Sequence, residues 1–207
     1  MADILQRMGS AVCHQMAERS LIWNEMQMPL CARCTGIYTG VFFAFCFFFL
    51  KKRMKNSRPF SLFQMILTAA SILPVGIDGV GSYLGFWESS QFLRILTGSI
   101  VGAVVPGVLI LAGNFEPNGK NEEAIYEKTT ELLLLMAVSV GFGFCLLVRL
   151  PLYWFGAIFS VMGEVLLWSG IVWLLLQNIL KNRNYPLWRF SVLISFGVLF
   201  LIGGLVP

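Results

Sequence analysis

The chain has 207 residues, 57% of them apolar and only 13% charged, with a formal net charge of +4. A soluble domain carries about 25% charged residues. This composition therefore excludes a soluble globular protein, and the lack of a long polar stretch excludes a separate soluble domain. The basic residues lie in loops between apolar runs, so they read as topology determinants and not as a nucleic-acid surface.

Residues 1–29 form an N-terminal segment, and residues 30–207 form a transmembrane domain. Residues 1–12 lack the basic start and unbroken apolar run of a signal peptide. Ile4, Leu5, Met8, Val12 and Met16 recur at helical spacing, which predicts a short helix lying at the interface or packed on the bundle. Pro29 suits the first turn of the next helix. That helix, residues 30–50, has 21 residues, enough to cross a bilayer core of about 30 Å. Gly36 and Gly40 allow another helix to approach it closely. Its phenylalanine run reads as lipid contact and packing.

Lys51, Lys52, Arg53, Lys55 and Arg58 follow at once and place this loop in the cytoplasm. A second span covers residues 60–84 and carries Asp78. The third covers 93–113, with Arg94 at its start, a small-residue face at Gly98 and Gly102, and a bend expected at Pro106-Gly107. A charged loop, 114–130, leads to a fourth span over 131–148. Arg149 and Pro151 mark a turn. The fifth span, 153–180, contains Glu164, and the sixth covers 188–206. The fold class is therefore all-α: a polytopic membrane bundle of about six transmembrane helices with a short N-terminal Cys/His segment.

With the first span running inward, the cytoplasmic loops hold ten Lys or Arg residues and the opposite side five. This favours both termini on the non-cytoplasmic side. Six spans also bring the Cys/His segment, Asp78, Arg94 and Arg149 to one membrane face, whichever face it is.

The chemistry concentrates in Cys13-His14 and Cys31-x-x-Cys34. Thiolates and a neutral imidazole are the usual ligands of tetrahedral zinc. Adjacent Cys13 and His14 are an unusual half-site, because neighbours on a helix point about 100° apart. The rival is redox chemistry: a C-x-x-C pair at a helix N-terminus has a lowered thiol pKa, and three thiols could pass disulfides to a quinone. A structural disulfide or inert thiols is the plain alternative. Cys46 and Cys145, inside spans, read as small core residues. Asp78 and Arg94 flank one short loop, so they form either a mutual ion pair or an acid/base and an anion-binding arginine. Glu164 is a deep carboxyl without an obvious partner: a proton or cation ligand, or a protonated group bonded to another helix.

Taken together, Cys13-His14-Gln15, Arg19-Ser20 and Cys31-x-Arg33-Cys34-x-Gly36-x-Tyr38-x-Gly40 resemble a signature of small predicted membrane proteins of unknown function in bacteria and archaea. The resemblance extends to Ile77-Asp78-Gly79 and to Arg94-x-x-Thr97-Gly98-x-x-x-Gly102, roughly the first half of the chain. It implies that the Cys/His, Asp and Arg elements belong to one pattern, and it brings no activity.

The leading expectation is a membrane protein with a zinc site made by Cys13, His14, Cys31 and Cys34. It would act on a lipid or small anionic substrate, with Asp78 as acid/base and Arg94 and Arg33 as anion contacts. The alternatives are a quinone-linked thiol oxidoreductase, and a transporter or assembly factor in which Glu164 lines a midplane cavity.

Overall fold

A computed structural model describes residues 2–23, 25–180 and 186–205. Lys181, Arg183 and Val206, which the sequence reading used, lie outside the described residues. The elements are α1 (Ala2–Gly9), a 3-10 turn (Ala17–Arg19), β1 (Ser20–Trp23), β2 (Met26–Cys31), α2 (Ala32–Leu50), α3 (Leu62–Tyr83), α4 (Gln91–Asn114), α5 (Thr129–Leu147), α6 (Tyr153–Leu180) and α7 (Pro186–Leu205). Six of the helices, α2 to α7, are long and apolar enough to cross a membrane.

The centre of the bundle is the contact between α2 and α4, and its cause is glycine. A Cβ at Gly36 would lie 2.7 Å from the Ile95 carbonyl, and one at Gly40 would lie 2.7 Å from that of Ser99. From the other side, Gly98 faces the Arg33 carbonyl and Gly102 the Ile37 carbonyl. The two small-residue faces read from the sequence are therefore partners, and the helices touch backbone to backbone. α3 lies further out, with Leu62, Phe63, Leu73 and Ile77 exposed where lipid would surround it. The phenylalanine run divides: Phe45 and Phe48 are fully buried, whereas Phe49 points outward. α4 continues through Pro106 as one helix.

The N-terminal segment corrects the sequence reading. Its helix ends at Gly9, where a side chain would collide with the backbone of Pro29. The chain then folds into an antiparallel hairpin, with Ile22 opposite Gln27 and Trp23 opposite Met26. Leu21, Trp23 and Met28 are buried on one side of it against Tyr153 and Ala157. Pro29 thus sits in β2 and not in a helix, and α2 begins at Ala32 with Cys31 as its N-cap.

Three glutamines fix this segment. The Gln15 amide donates to the carbonyls of Gln6 and Pro29, both at 2.7 Å, and the Gln27 amide donates to the Gln15 carbonyl at 2.6 Å. The Gln6 amide donates to the Gln27 carbonyl at 2.6 Å, and the Tyr153 hydroxyl donates to the same oxygen at 3.0 Å. Gln15 holds a positive φ of 49°, a strained turn that these bonds offset.

At the other end of the bundle, the loop after α2 packs on the loop before α5. Arg53 turns inward, 6% exposed. It is 2.7 Å from both Glu127 and Glu131, and its guanidinium lies over the Phe47 ring. The Asn56 amide donates to the Ala124 carbonyl at 2.6 Å, and the Asn114 amide to that of Met54 at 2.9 Å. One residue of the basic cluster is therefore a structural bolt as well as a topology signal.

Candidate metal centre

The glutamine network and the hairpin carry Cys13 back to the start of α2. There Cys31 is the N-cap and Cys34 lies in the first turn. The three sulfurs lie within 4.8 Å of one another. Four ligands about 2.3 Å from a zinc ion stand about 3.8 Å apart, so the spacing suits three corners of one tetrahedron. All three cysteines are free thiols. The Cys31 backbone N–H donates to Cys13 Sγ at 3.3 Å, which favours a charged sulfur there. The thiols ionise as a set. Hydrogen bonds from Cys13 and Cys34 hold the Cys31 thiol well below its ordinary value. Against that backbone bond, the side-chain hydrogen bond to Cys31 and burial push Cys13 up.

A cavity of about 140 Å³ opens on the cluster, lined by the three cysteines with His14, Met16 and Arg19. His14 is exposed at its rim and lies outside the group of sulfurs. The structure thus gathers three of the four sequence-derived ligand candidates and leaves the imidazole at the mouth. Cys46 and Cys145 lie in α2 and α5, apart from the cluster.

Asp78 pairs with Arg33 and not with Arg94, which replaces the mutual pair considered from the sequence. The reach of the Arg33 side chain explains the exchange: from the first turn of α2 it extends to the last turns of α3, where it meets Asp78 and lies beside Gly79. Asp78 Oδ1 is buried without a partner at hydrogen-bond geometry, with Ser89 and Trp87 beside the carboxyl. Arg94 is 7% exposed. Among the described residues its side chain makes one hydrogen bond, a long one of 3.5 Å to Ser82. Arg19, which the sequence reading used only as part of a motif, lies within electrostatic range of Arg94.

Glu164 is fully buried in α6, and among the described residues neither carboxylate oxygen has a hydrogen-bond partner. Its neighbour Gly163 presses on the Tyr38 backbone. Tyr38 is in electrostatic range of both Glu164 and Cys34, so the deep carboxyl stands near the cluster's helix.

These features define a multi-pass helical membrane protein with a three-thiol cluster, able to hold a metal ion, at one end of its bundle. The chain belongs to the family described as "Predicted membrane protein (DUF2085)", whose profile matches residues 13–108. The match begins at the first clustered cysteine and includes Cys31, Cys34, Asp78 and Arg94. An uncharacterised protein of Methanocaldococcus jannaschii is 34% identical over 96 residues, 46% of this chain and 60% of the relative. The chain therefore spans 60% of the length of that relative. An uncharacterised protein of Methanothermobacter thermautotrophicus is 35% identical over 91 residues, 44% of this chain and 78% of the relative. No solved structure matches.

Proposed function

We propose that this is a membrane metalloprotein in which Cys13, Cys31 and Cys34 hold zinc at the non-cytoplasmic face. The observation that carries the reading is the convergence of three sulfurs from two separate segments. Three soft thiolates favour zinc over hard cations such as magnesium. The three sulfurs border a cavity that His14 also lines, so a metal held by them would be reachable from that cavity. Zinc held by these three cysteines would supply Lewis-acid chemistry, polarising a substrate oxygen or activating water. This supports a metal-dependent enzyme acting on a lipid or small anionic substrate at the interface. Asp78 would serve as acid/base through its free oxygen, and Arg33 would hold it in place. The ten-to-five distribution of Lys and Arg supports the orientation.

A Cys34→Ser variant should lose bound metal, measured by elemental analysis, and should unfold at lower temperature, because binding energy is folding energy. His14→Ala should keep the metal, since its imidazole is exposed. Loss of metal from His14→Ala as complete as from Cys34→Ser would instead make a closed, structural site of four ligands.

A second reading has its own support. Side-chain hydrogen bonds from Cys13 and Cys34 hold the Cys31 thiol below its ordinary value, and the three sulfurs lie within 4.8 Å of one another, which suits a quinone-linked thiol relay. That relay predicts a metal-free protein whose thiols alternate with a disulfide.

A further inference from the structure

Arg94 is buried near the start of α4, and its Nε has no hydrogen-bond partner among the described residues. Among those residues no carboxylate is in ion-pair contact with it. Its electrostatic neighbours include two further arginines, Arg19 and Arg33, and the carboxylate of Asp78, which Arg33 already holds. A buried cation without a counter-ion is unfavourable, the more so where lipid surrounds the protein.

The Arg94 side chain borders a cavity of about 460 Å³ between the 3-10 turn and the α3–α4 loop. Arg19 and Ser82 line it too, and Trp87 stands half-exposed on its wall. Two carboxylates, Glu18 and Glu88, also line it, but both are exposed, where solvent screens their charge. Arg19 borders the cysteine cavity as well, so the two cavities adjoin.

Three arginines against one aspartate leave two positive charges. Three thiolates around a divalent ion would reduce the surplus to one. With the exposed Glu18 and Glu88 set aside, the charge immediately around Arg94 is positive in either state. A planar guanidinium with unused donors matches the paired oxygens of a phosphate. The volume exceeds that of a phosphate alone and leaves room for an organic group.

We propose that this cavity is a binding site for a phosphate-bearing anion, held by Arg94 with Arg19. Arg33 is excluded from the role because Asp78 occupies it. The inference deepens the reading above by naming the substrate class, and it rests on that reading only for what happens after binding. The phosphate can belong to a water-soluble ester or to a lipid headgroup, and the test separates the two.

Purified full-length protein in detergent is titrated calorimetrically with inorganic phosphate and with glycerol 3-phosphate. In parallel it is placed in nanodiscs containing phosphatidic acid, and retained lipid is measured by native mass spectrometry. Saturable binding of the soluble phosphates, weakened about tenfold or more in Arg94→Gln, supports a soluble ligand. Retained phosphatidic acid that Arg94→Gln loses, with no soluble binding, supports a headgroup. If the folded wild type holds neither, or Arg94→Gln binds as the wild type does, the proposal is overturned. Should Arg94→Gln fail to fold, Arg94→Lys and Arg19→Gln replace it. Each should weaken binding about threefold or more, and unchanged binding in both overturns the proposal. Metal content is measured in every sample. A metal-free wild type that still binds phosphate removes the metalloprotein reading and keeps the anion site.

Discussion

The two ends of the bundle each bury an arginine, and they treat it differently. Arg53 meets Glu127, Glu131 and a phenylalanine ring, and the loops around it satisfy one another. Arg94, equally buried, has one long contact to a serine. The same end also leaves Arg33 Nε and Asp78 Oδ1 without partners among the described residues and collects three free thiols. Burial of a charge therefore does not mark a functional site by itself. The mark is burial without a partner, because a folded protein tolerates that cost where a ligand offsets it.

This contrast can be broken by substitution. Arg53→Ala should cost the most, about 3 kcal/mol, because it strands Glu131 and removes the clamp between the loops. A thermal melt in detergent reads it, and a loss under 1 kcal/mol would make the two ends equivalent. Asp78→Asn should cost about 2 kcal/mol by leaving Arg33 uncompensated. A double variant with Arg33→Gln should recover part of that loss, and strict additivity would show that the pair is not coupled. Without ligand, Arg94→Gln should leave stability unchanged or raise it, since it removes a buried charge that lacks a partner. A loss comparable to that of Arg53→Ala would reveal a structural arginine. Glu164→Gln should also be nearly neutral, because no bond to its oxygens is lost.

Orientation has a separate test. A cysteine placed at Glu88 should react with an impermeant reagent in intact cells, whereas one at Ser57 should not. The reverse pattern would put the three-thiol cluster at the cytoplasmic face.

The membrane spans are legible in the sequence because an apolar run of bilayer length has few uses outside a membrane. The pairing of Gly36 and Gly40 with Gly98 and Gly102 was half legible: each face could be read, but not that they meet. The clustering of Cys13 with Cys31 and Cys34 was legible from residue type and spacing. The hairpin that brings them together was not. Its strands are only four and six residues long, and a helical pattern in Ile4, Leu5 and Met8 ran on by chance into Val12 and Met16. The partner of Asp78 was misjudged for a related reason. Nearness along the chain favours Arg94, whereas the partner is the long side chain of Arg33, which reaches Asp78 from the start of α2. His14 looked committed because it is the sole histidine, but its neighbour Cys13 takes the inward direction and turns it outward. Nothing in the sequence separated Arg53 from the other loop cations, since its two carboxylates lie more than seventy residues away.

Cys13, Cys31 and Cys34 are proposed to share one metal ion. The most direct measurement combines elemental analysis of the purified protein with a count of alkylatable thiols before and after a chelator. One zinc per chain, with these three cysteines protected until the chelator is added, is the expected result. A metal-free, folded protein with a Cys31–Cys34 disulfide would contradict it and give the site to thiol chemistry.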